Sequence, residues 1–505
     1  MGIDLFAKEA AAINSERPST LNVFDGVCWI VYKYSTIWSD DSSLKTQQRV
    51  QPTMGMNQIN TDYPGAPRSG GVETASRTQL RQWQEERLVS LYQRTWKHVP
   101  FYRKRWEEHG LGADDIRSLD DVAKLPVVSK NDFESDLAEH PPFGTYQGNF
   151  SAIRLQASSG SSGNPKPFFQ TRSDWEVITN LWSRRFYAQG VRAGDIFQVV
   201  FTYSLFIAGF TATEGAMKLG ALVVPAGSGA VTPSERQVRL LSDWKATVVA
   251  GTPSYVLHLA DVAERVGMDL KRDFNLRVGV HTAEPMTEAA RRSIEARWGI
   301  KAYDNFGSVE TGAPTFECSE QNGYHINEDA YIFEILDRET LTPLEHGKDG
   351  VVVVSSLFKE AAPVIRYNLE DISSIVDDLC PCGRTFRRLM KIKGRASEML
   401  KVRGVPFYPT AVEGVLEGFP ELTREHRLVV DRVGQQDRVT VQVERRSDAG
   451  DMNSLRERLE RALKVATGLA METELLAVGE LSRSMKVEGR IKARRIWDRR
   501  GEKNV

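Results

Sequence analysis

Apolar and polar positions follow two rhythms along this chain, and the change from one to the other divides it into regions. From Val72 onward, Leu80, Trp83, Leu88, Leu91, Tyr92 and Trp96 recur at helical spacing, which predicts a long amphipathic helix with Thr74 or Ser76 as its N-cap. Short punctuated segments follow, over 119–126 and on to Pro142. Another helix is predicted over 174–189. Short buried or apolar strand patterns at 196–201, 221–225 and 246–251, followed by 276–280 and a further strand over 301–305, then alternate with helical patterns at 233–244, 254–266 and 288–298. Largely apolar runs suit buried strands, and strands alternating with helices predict an α/β fold with a mostly parallel sheet. Beyond Gly323 the texture turns β-rich, at 330–336 and 350–355, and a new βα-patterned unit follows Gly394. No internal repeat is visible.

Residues 1–72 keep neither rhythm. They mix polar runs, scattered aromatics and a Gly/Pro-rich end at 63–71, and they read as a disordered extension, with Met54 and Met56 as candidate later starts. Asp25 and Lys33 interrupt the aromatic stretch 23–38, so no membrane span is expected there, and no basic region precedes an apolar core as in a secretory leader. A chain beginning near Gly71 is therefore expected to fold and keep its activity. Loss of folded protein on that truncation would show that the extension packs on the rest.

Composition narrows the picture. A length of 505 residues exceeds one core and predicts two or more domains. Apolar content of 41% with 26% charged residues suits a soluble globular protein. Lys+Arg 66 against Asp+Glu 67 leaves a formal charge of −1, which gives no bulk attraction to nucleic acid or anionic membrane. The 4 cysteines are too few for a disulfide framework and point to a reducing, cytoplasmic compartment.

Candidate chemistry begins at 155–166, LQASSGSSGNPK, which gathers Ser158, Ser159, Gly160, Ser161, Ser162, Gly163 and Lys166. Glycines let backbone N–H groups converge on an anion, hydroxyls add donors, and the lysine adds a point charge. No G-K-[ST] closes the stretch, so it is not a Walker loop; by itself it reads equally well as a flexible linker. Ala283, Glu284 and Pro285 sit between a predicted strand and helix, where they either face a ligand or simply open the helix. Cys380 and Cys382 form a Cys-Pro-Cys-Gly knuckle, and Cys318 and His325 lie in the same β-rich region. Three thiolates and an imidazole make the closed tetrahedral set of a structural Zn²⁺ site, although cysteines are also common as buried apolar groups. Cys28 is left over. Between 481 and 500, eight basic residues face two acids, a composition shared by solvated basic helices.

Taken in order, LQASSGSSGNPK, the Ala-Glu-Pro at 283–285, YDNFGSVE at 303–310, PVIRYNLED at 363–371 and GRASEMLKVRG at 394–404 resemble the motifs of adenylate-forming enzymes. These comprise acyl- and aryl-CoA ligases, luciferases and peptide-synthetase adenylation domains. HTAEPMTEAARRSIEARWGIKAYDNFG, FECSEQNGYHINED, CPCGRTFRR and GVPFYPTAVEGVL, with TASRTQLRQWQEERL, VPFYRKRWEEHG and TPSY upstream, are similar to the phenylacetate–CoA ligase branch. The resemblance spans about 73–500. It implies a large α/β, multi-sheet domain over 73–394 and a smaller mobile α/β domain over 395–505. The implied reaction has two steps: carboxylate and ATP give acyl-AMP and pyrophosphate, and coenzyme A sulfur then displaces AMP.

The same resemblance implies the roles of individual residues. The 158–163 loop and Lys166 hold phosphates, with Ala283, Glu284 and Pro285 beside the nucleotide. Phe306, between Asn305 and Gly307, packs on adenine, and Glu310 holds Mg²⁺; standing alone, Glu310 would read as a helix N-terminal acid. Asp371 accepts both ribose hydroxyls, and Arg395 reaches the ribose or phosphate side. Ser397 departs from the acidic residue or lysine usual at the hinge. Tyr203, Phe206, Tyr255 and Thr282 line the slot for an aromatic acid, with plain core packing as the alternative for Tyr203 and Phe206. Relatives commonly carry glycine at the place of Thr282, so this slot is shorter or more polar. Lys492 bridges carboxylate and α-phosphate in the Lys-Ala-Arg-Arg register, and Lys486 is the choice of the other register. Some relatives share the Cys…His…Cys-x-Cys set. Expected partners are a small aromatic acid and either coenzyme A or a carrier-protein thiol, with no nucleic acid and no membrane; a homodimer is left open. A non-catalytic binding module that keeps the fold is the rival from another class.

Overall fold

A computed structural model describes residues 71–158, 165–396, 399–403, 405–433, 436–446, 450–481 and 495–500. The expected extension, up to residue 70, lies outside the described residues. Ser76, not Thr74, caps the first helix, Arg77–His98, by accepting from the Gln79 N–H. Leu88, Leu91 and Tyr92 enter the main core, and Pro100 opens the next helix, Pro100–Glu108.

Strands Leu222–Val224, Ile196–Val199, Val248–Ala250, Val278–Val280 and Lys301–Tyr303, in that spatial order, form the parallel sheet. Each lies within an expected strand. Phe197, Val199, Val248, Ala250, Val278, Val280 and Tyr303 face a core shared with helices Arg172–Ala188 and Ala208–Lys218. Val249 and Ala302 face a second core, shared with Ser234–Asp243, Pro253–Arg265 and Glu288–Trp298. Side chains alternate between faces, so a sheet covered on both sides needs apolar residues at odd and even positions alike.

The β-rich part forms two antiparallel sheets. One runs Tyr331–Leu336, Gly350–Ser356, Tyr367–Ser373 and Gly394–Arg395; the other runs Ile375–Val376, Arg388–Leu389, Tyr324–Ile326 and Thr315–Phe316. Past the 394–395 strand a separate core forms. Leu422–Val433 and Gln436–Arg445 pair antiparallel, with Ile496–Asp498 and Glu472–Leu476 parallel on the outer sides. Leu455, Leu459 and Leu463 of helix Met452–Thr467, spaced four apart, close that core. No described helix is long and apolar enough to cross a membrane.

Candidate functional site

Strands Ala152–Ser158 and Lys166–Thr171 pair with Ser158 opposite Lys166, so they hold the two ends of the 159–164 loop together. Ser159, Gly160, Ser161, Ser162 and Gly163 lie outside the described residues, while the Ser158 hydroxyl is buried without a partner among them. Lys166 is buried and gives its ammonium to Glu134 at 3.1 Å. Burial lowers its pKa, against the pull of Glu134 and Glu310. Glu310 is itself buried, and among the described residues no hydrogen bond reaches its carboxylate. Lys359 donates to the Glu310 main-chain oxygen at 2.6 Å, and burial draws the Lys359 ammonium down to about 8. The Tyr367 phenol is pushed up by burial and then by the Glu310 charge. Glu310 thus lies where the hairpin, the 303–310 turn and strand Tyr367–Ser373 meet.

That strand carries Asp371 on a bulge. Val351 pairs with Ile372 and Val353 with Asn368, so residues 369–371 leave the regular ladder. Glu370 takes φ 62 there, with its N–H on Asn368 Oδ1 at 2.8 Å, and Asp371 turns to Arg395 across the sheet at 3.5 Å.

The expected acid slot docks on the same hairpin: the Ala157 N–H donates to the Leu205 oxygen at 2.9 Å, and the Gln156 amide reaches the Phe206 oxygen at 3.3 Å. Phe206 and Tyr203 are half-buried, and the Tyr203 hydroxyl shares a 2.6 Å hydrogen bond with Thr213. Tyr255 meets Ser234 at 3.1 Å. Between these tyrosines runs the 227–229 loop. A Cβ at Gly229 would stand 2.8 Å from the Tyr255 hydroxyl, so a larger residue there would have to displace the Tyr255 side chain. Thr282 donates to the Asn305 oxygen at 2.8 Å. The Asn305 amide is engaged internally, donating to the His281 oxygen at 3.0 Å and accepting from Gln189 at 2.7 Å. Ala283 holds φ 74, an uncommon left-handed state for a non-glycine residue, and Glu284 accepts the Ser254 N–H at 3.3 Å. Ala283, Glu284 and Pro285 are exposed, and Phe306 is half-buried beside Tyr324. Gly307 is packed tightly: a Cβ there would lie 2.8 Å from the Gly312 oxygen. Lys492 and Lys486 lie outside the described residues.

Sequence reasoning missed the charges that hold this frame. Glu317, fully buried, accepts from Arg291 at 2.7 and 3.0 Å, from Lys391 at 2.6 Å and from the Asp304 N–H at 2.7 Å. Asp304 in turn accepts from the Tyr324 hydroxyl at 2.5 Å. The residues just before Phe306 are therefore fixed to helix Glu288–Trp298 and to the approach of the 394–395 strand. An acid inside the apolar run 313–318 was the available signal.

Cys318, His325, Cys380 and Cys382 come together, their ligand atoms all within 4.8 Å of one another. The Cys318 and Cys380 sulfurs are 3.7 Å apart, and Cys382 Sγ is 3.4 Å from His325 Nε2. A tetrahedral Zn²⁺ has S···S edges of about 3.8 Å and S···N edges of about 3.5 Å, given bond lengths of about 2.3 and 2.0 Å. His325 Nδ1 meets the Phe386 oxygen at 3.2 Å, which orients Nε2 toward the sulfurs. The donor set fits the metal.

The description "AMP-binding enzyme" belongs to the family model matching residues 121–358, and "AMP-binding enzyme C-terminal domain" to that matching 404–500. Phenylacetate–coenzyme A ligase of Pseudomonas putida is 37% identical over 438 residues, 85% of this chain and 96% of that protein. The Escherichia coli K12 protein of the same description is 34% identical over 439 residues, 85% of this chain and 97% of its own. Among solved structures, 2-hydroxyisobutyryl-CoA ligase in its postadenylation state with an acyl-AMP superimposes with a TM-score of 0.79 at 29% identity, over 87% of this chain and 95% of that one. The same ligase in its thioesterification state with CoA gives 0.64 at 30% identity, over 88% and 95%.

Proposed function

The chain belongs to the phenylacetate–coenzyme A ligase family, and from that membership we propose an aromatic acid as its substrate and a division of labour among its residues. It is an AMP-forming acid–CoA ligase: ATP activates a carboxylate as acyl-AMP, and coenzyme A then takes the acyl group as a thioester. Glu310 carries the proposal for the residues. A buried carboxylate with no hydrogen-bond donor among the described residues suits a cation as its partner. Glu310 would hold Mg²⁺, which supplies neutralisation of the triphosphate charge when bound.

The 158–163 loop, together with Lys166, cradles the phosphates. Phe306 offers a flat face to adenine, and the bulge at 369–371 aims the Asp371 carboxylate at the vicinal ribose hydroxyls, two donors for one acceptor group. Arg395 closes on the same side. Tyr203, Phe206, Tyr255 and Thr282 receive the aromatic ring. Lys492 enters with a small domain, 395–505, that rotates between the two steps; the unequal similarity to two states of one CoA ligase supports that swing. ATP–pyrophosphate exchange over a panel of benzoates, phenylacetates and aliphatic acids tests the assignment. Exchange is expected with aromatic acids and a thioester once coenzyme A is added; exchange confined to aliphatic acids would overturn the aromatic slot.

Zn²⁺ at Cys318, His325, Cys380 and Cys382 is the second part of the proposal, supported by the fit of the donor set. Purified protein is expected to carry about one equivalent of zinc. Cys382→Ser should lower metal content and melting temperature together, and metal-free protein of unchanged stability would sink the assignment.

A further inference from the structure

Lys359 stands behind Glu310, and no carboxylate of the described residues forms an ion pair with it. It is fully buried, and among the described residues no carboxylate oxygen lies within the 4.0 Å of an ion pair. Its ammonium donates to the Glu310 main-chain oxygen at 2.6 Å and lies 5.7 Å from the centre of the Phe168 ring, on the hairpin strand that leaves the 159–164 loop. A buried cation without a carboxylate partner costs several kcal/mol, more than one neutral acceptor and one ring return. A methionine of similar volume would pack there at lower cost.

The turn bearing Lys359 is held from below. Asp174 accepts the Glu360 N–H at 2.8 Å and the Ala361 N–H at 3.2 Å, while its place in the capping box of helix Arg172–Ala188 fixes its own position. Glu360 accepts from the Thr171 hydroxyl at 3.0 Å. Both ends of the lysine are thus constrained: its backbone by the start of a helix, its ammonium by the turn that carries Glu310. Resting on the reading of Glu310 as the metal carboxylate, we propose that Lys359 is a positioning residue for metal–nucleotide binding. It fixes the Glu310 backbone, so that the carboxylate faces the phosphates.

The test uses the full chain and Mn²⁺ as the probe, titrated by electron paramagnetic resonance in the presence of a non-hydrolysable ATP analogue. Loss of a hydrogen bond from a charged donor is expected to weaken Mn²⁺–nucleotide binding by about ten- to a hundredfold in Lys359→Met. KM for ATP should rise in step, KM for the acid should stay near wild type, and Lys359→Arg should recover most of the loss. The melting temperature of Lys359→Met should hold or rise, because an unpaired buried charge has gone. Unchanged Mn²⁺ affinity in Lys359→Met would overturn the proposal, as would a fall in stability with all constants affected alike. Lys359→Gln is titrated in parallel, so that a misfolded methionine variant still leaves an answer. Glu310→Gln is the control. If it binds Mn²⁺ as wild type does, the metal reading of Glu310 fails and the proposal fails with it; if it loses Mn²⁺ while Lys359→Met and Lys359→Gln keep it, only the proposal fails.

Discussion

Lys492→Ala is expected to slow ATP–pyrophosphate exchange by a factor on the order of 10²–10³, the usual cost of one preorganised charge at a developing anion. Conversion of supplied acyl-AMP to the thioester should stay near the wild-type rate. In the first half-reaction two anions, the carboxylate and the α-phosphate, must meet, and a cation between them offsets their repulsion. The second half-reaction starts from a finished mixed anhydride and no longer needs that bridge. Lys486→Ala should do little in either assay. An exchange of behaviour between the two variants would move the role to Lys486, and equal loss of both half-reactions in Lys492→Ala would mark a residue that supports the small domain instead.

Glu317→Gln should be strongly destabilising. The carboxylate faces Arg291 and Lys391, and Arg291 is almost fully buried. Removing one partner of a buried ion pair leaves a charge uncompensated, at about 3–5 kcal/mol. Urea unfolding should show that loss in the main transition. Glu320→Gln, a few residues on and exposed, should stay within about 0.5 kcal/mol of wild type. A loss below about 1 kcal/mol in Glu317→Gln would mean that water or a shifted Asp304 takes over the charge.

The contrast between those two glutamates shows what the chain discloses and what it conceals. Strands such as Val248–Ala250 were legible because a sheet buried on both faces writes an unbroken apolar run into the sequence, and the gathering of Cys380 and Cys382 with Cys318 and His325 was legible because so few cysteines all fall in one β-rich region. Ser76 over Thr74 was not decidable, since either hydroxyl could serve and the position of the first turn selects one. Glu317, Lys359 and Asp174 left no periodic signature. Their partners lie far away in the chain, as with Arg184 and Asp329, separated by 145 residues, and a single charge in an apolar run does not name its counter-ion. The bulge beside Asp371 was hidden for a related reason: its extra residues look like any other strand until the neighbouring strand fixes the register.

The position of strand Ile496–Asp498 bears on how the protein is made. It lies parallel beside Leu422–Val433, against residues 428–430, so it completes a sheet whose other three strands all precede it in the chain. A ribosome delivers that strand after the other three strands of its sheet. Until then the nascent chain carries Leu428, Val429 and Val430 on an unpaired edge, a template for pairing with neighbouring nascent chains. Premature termination before Ile496 would make this state permanent, so truncated products should partition to inclusion bodies and to chaperones even though every residue of the large domain has been synthesised.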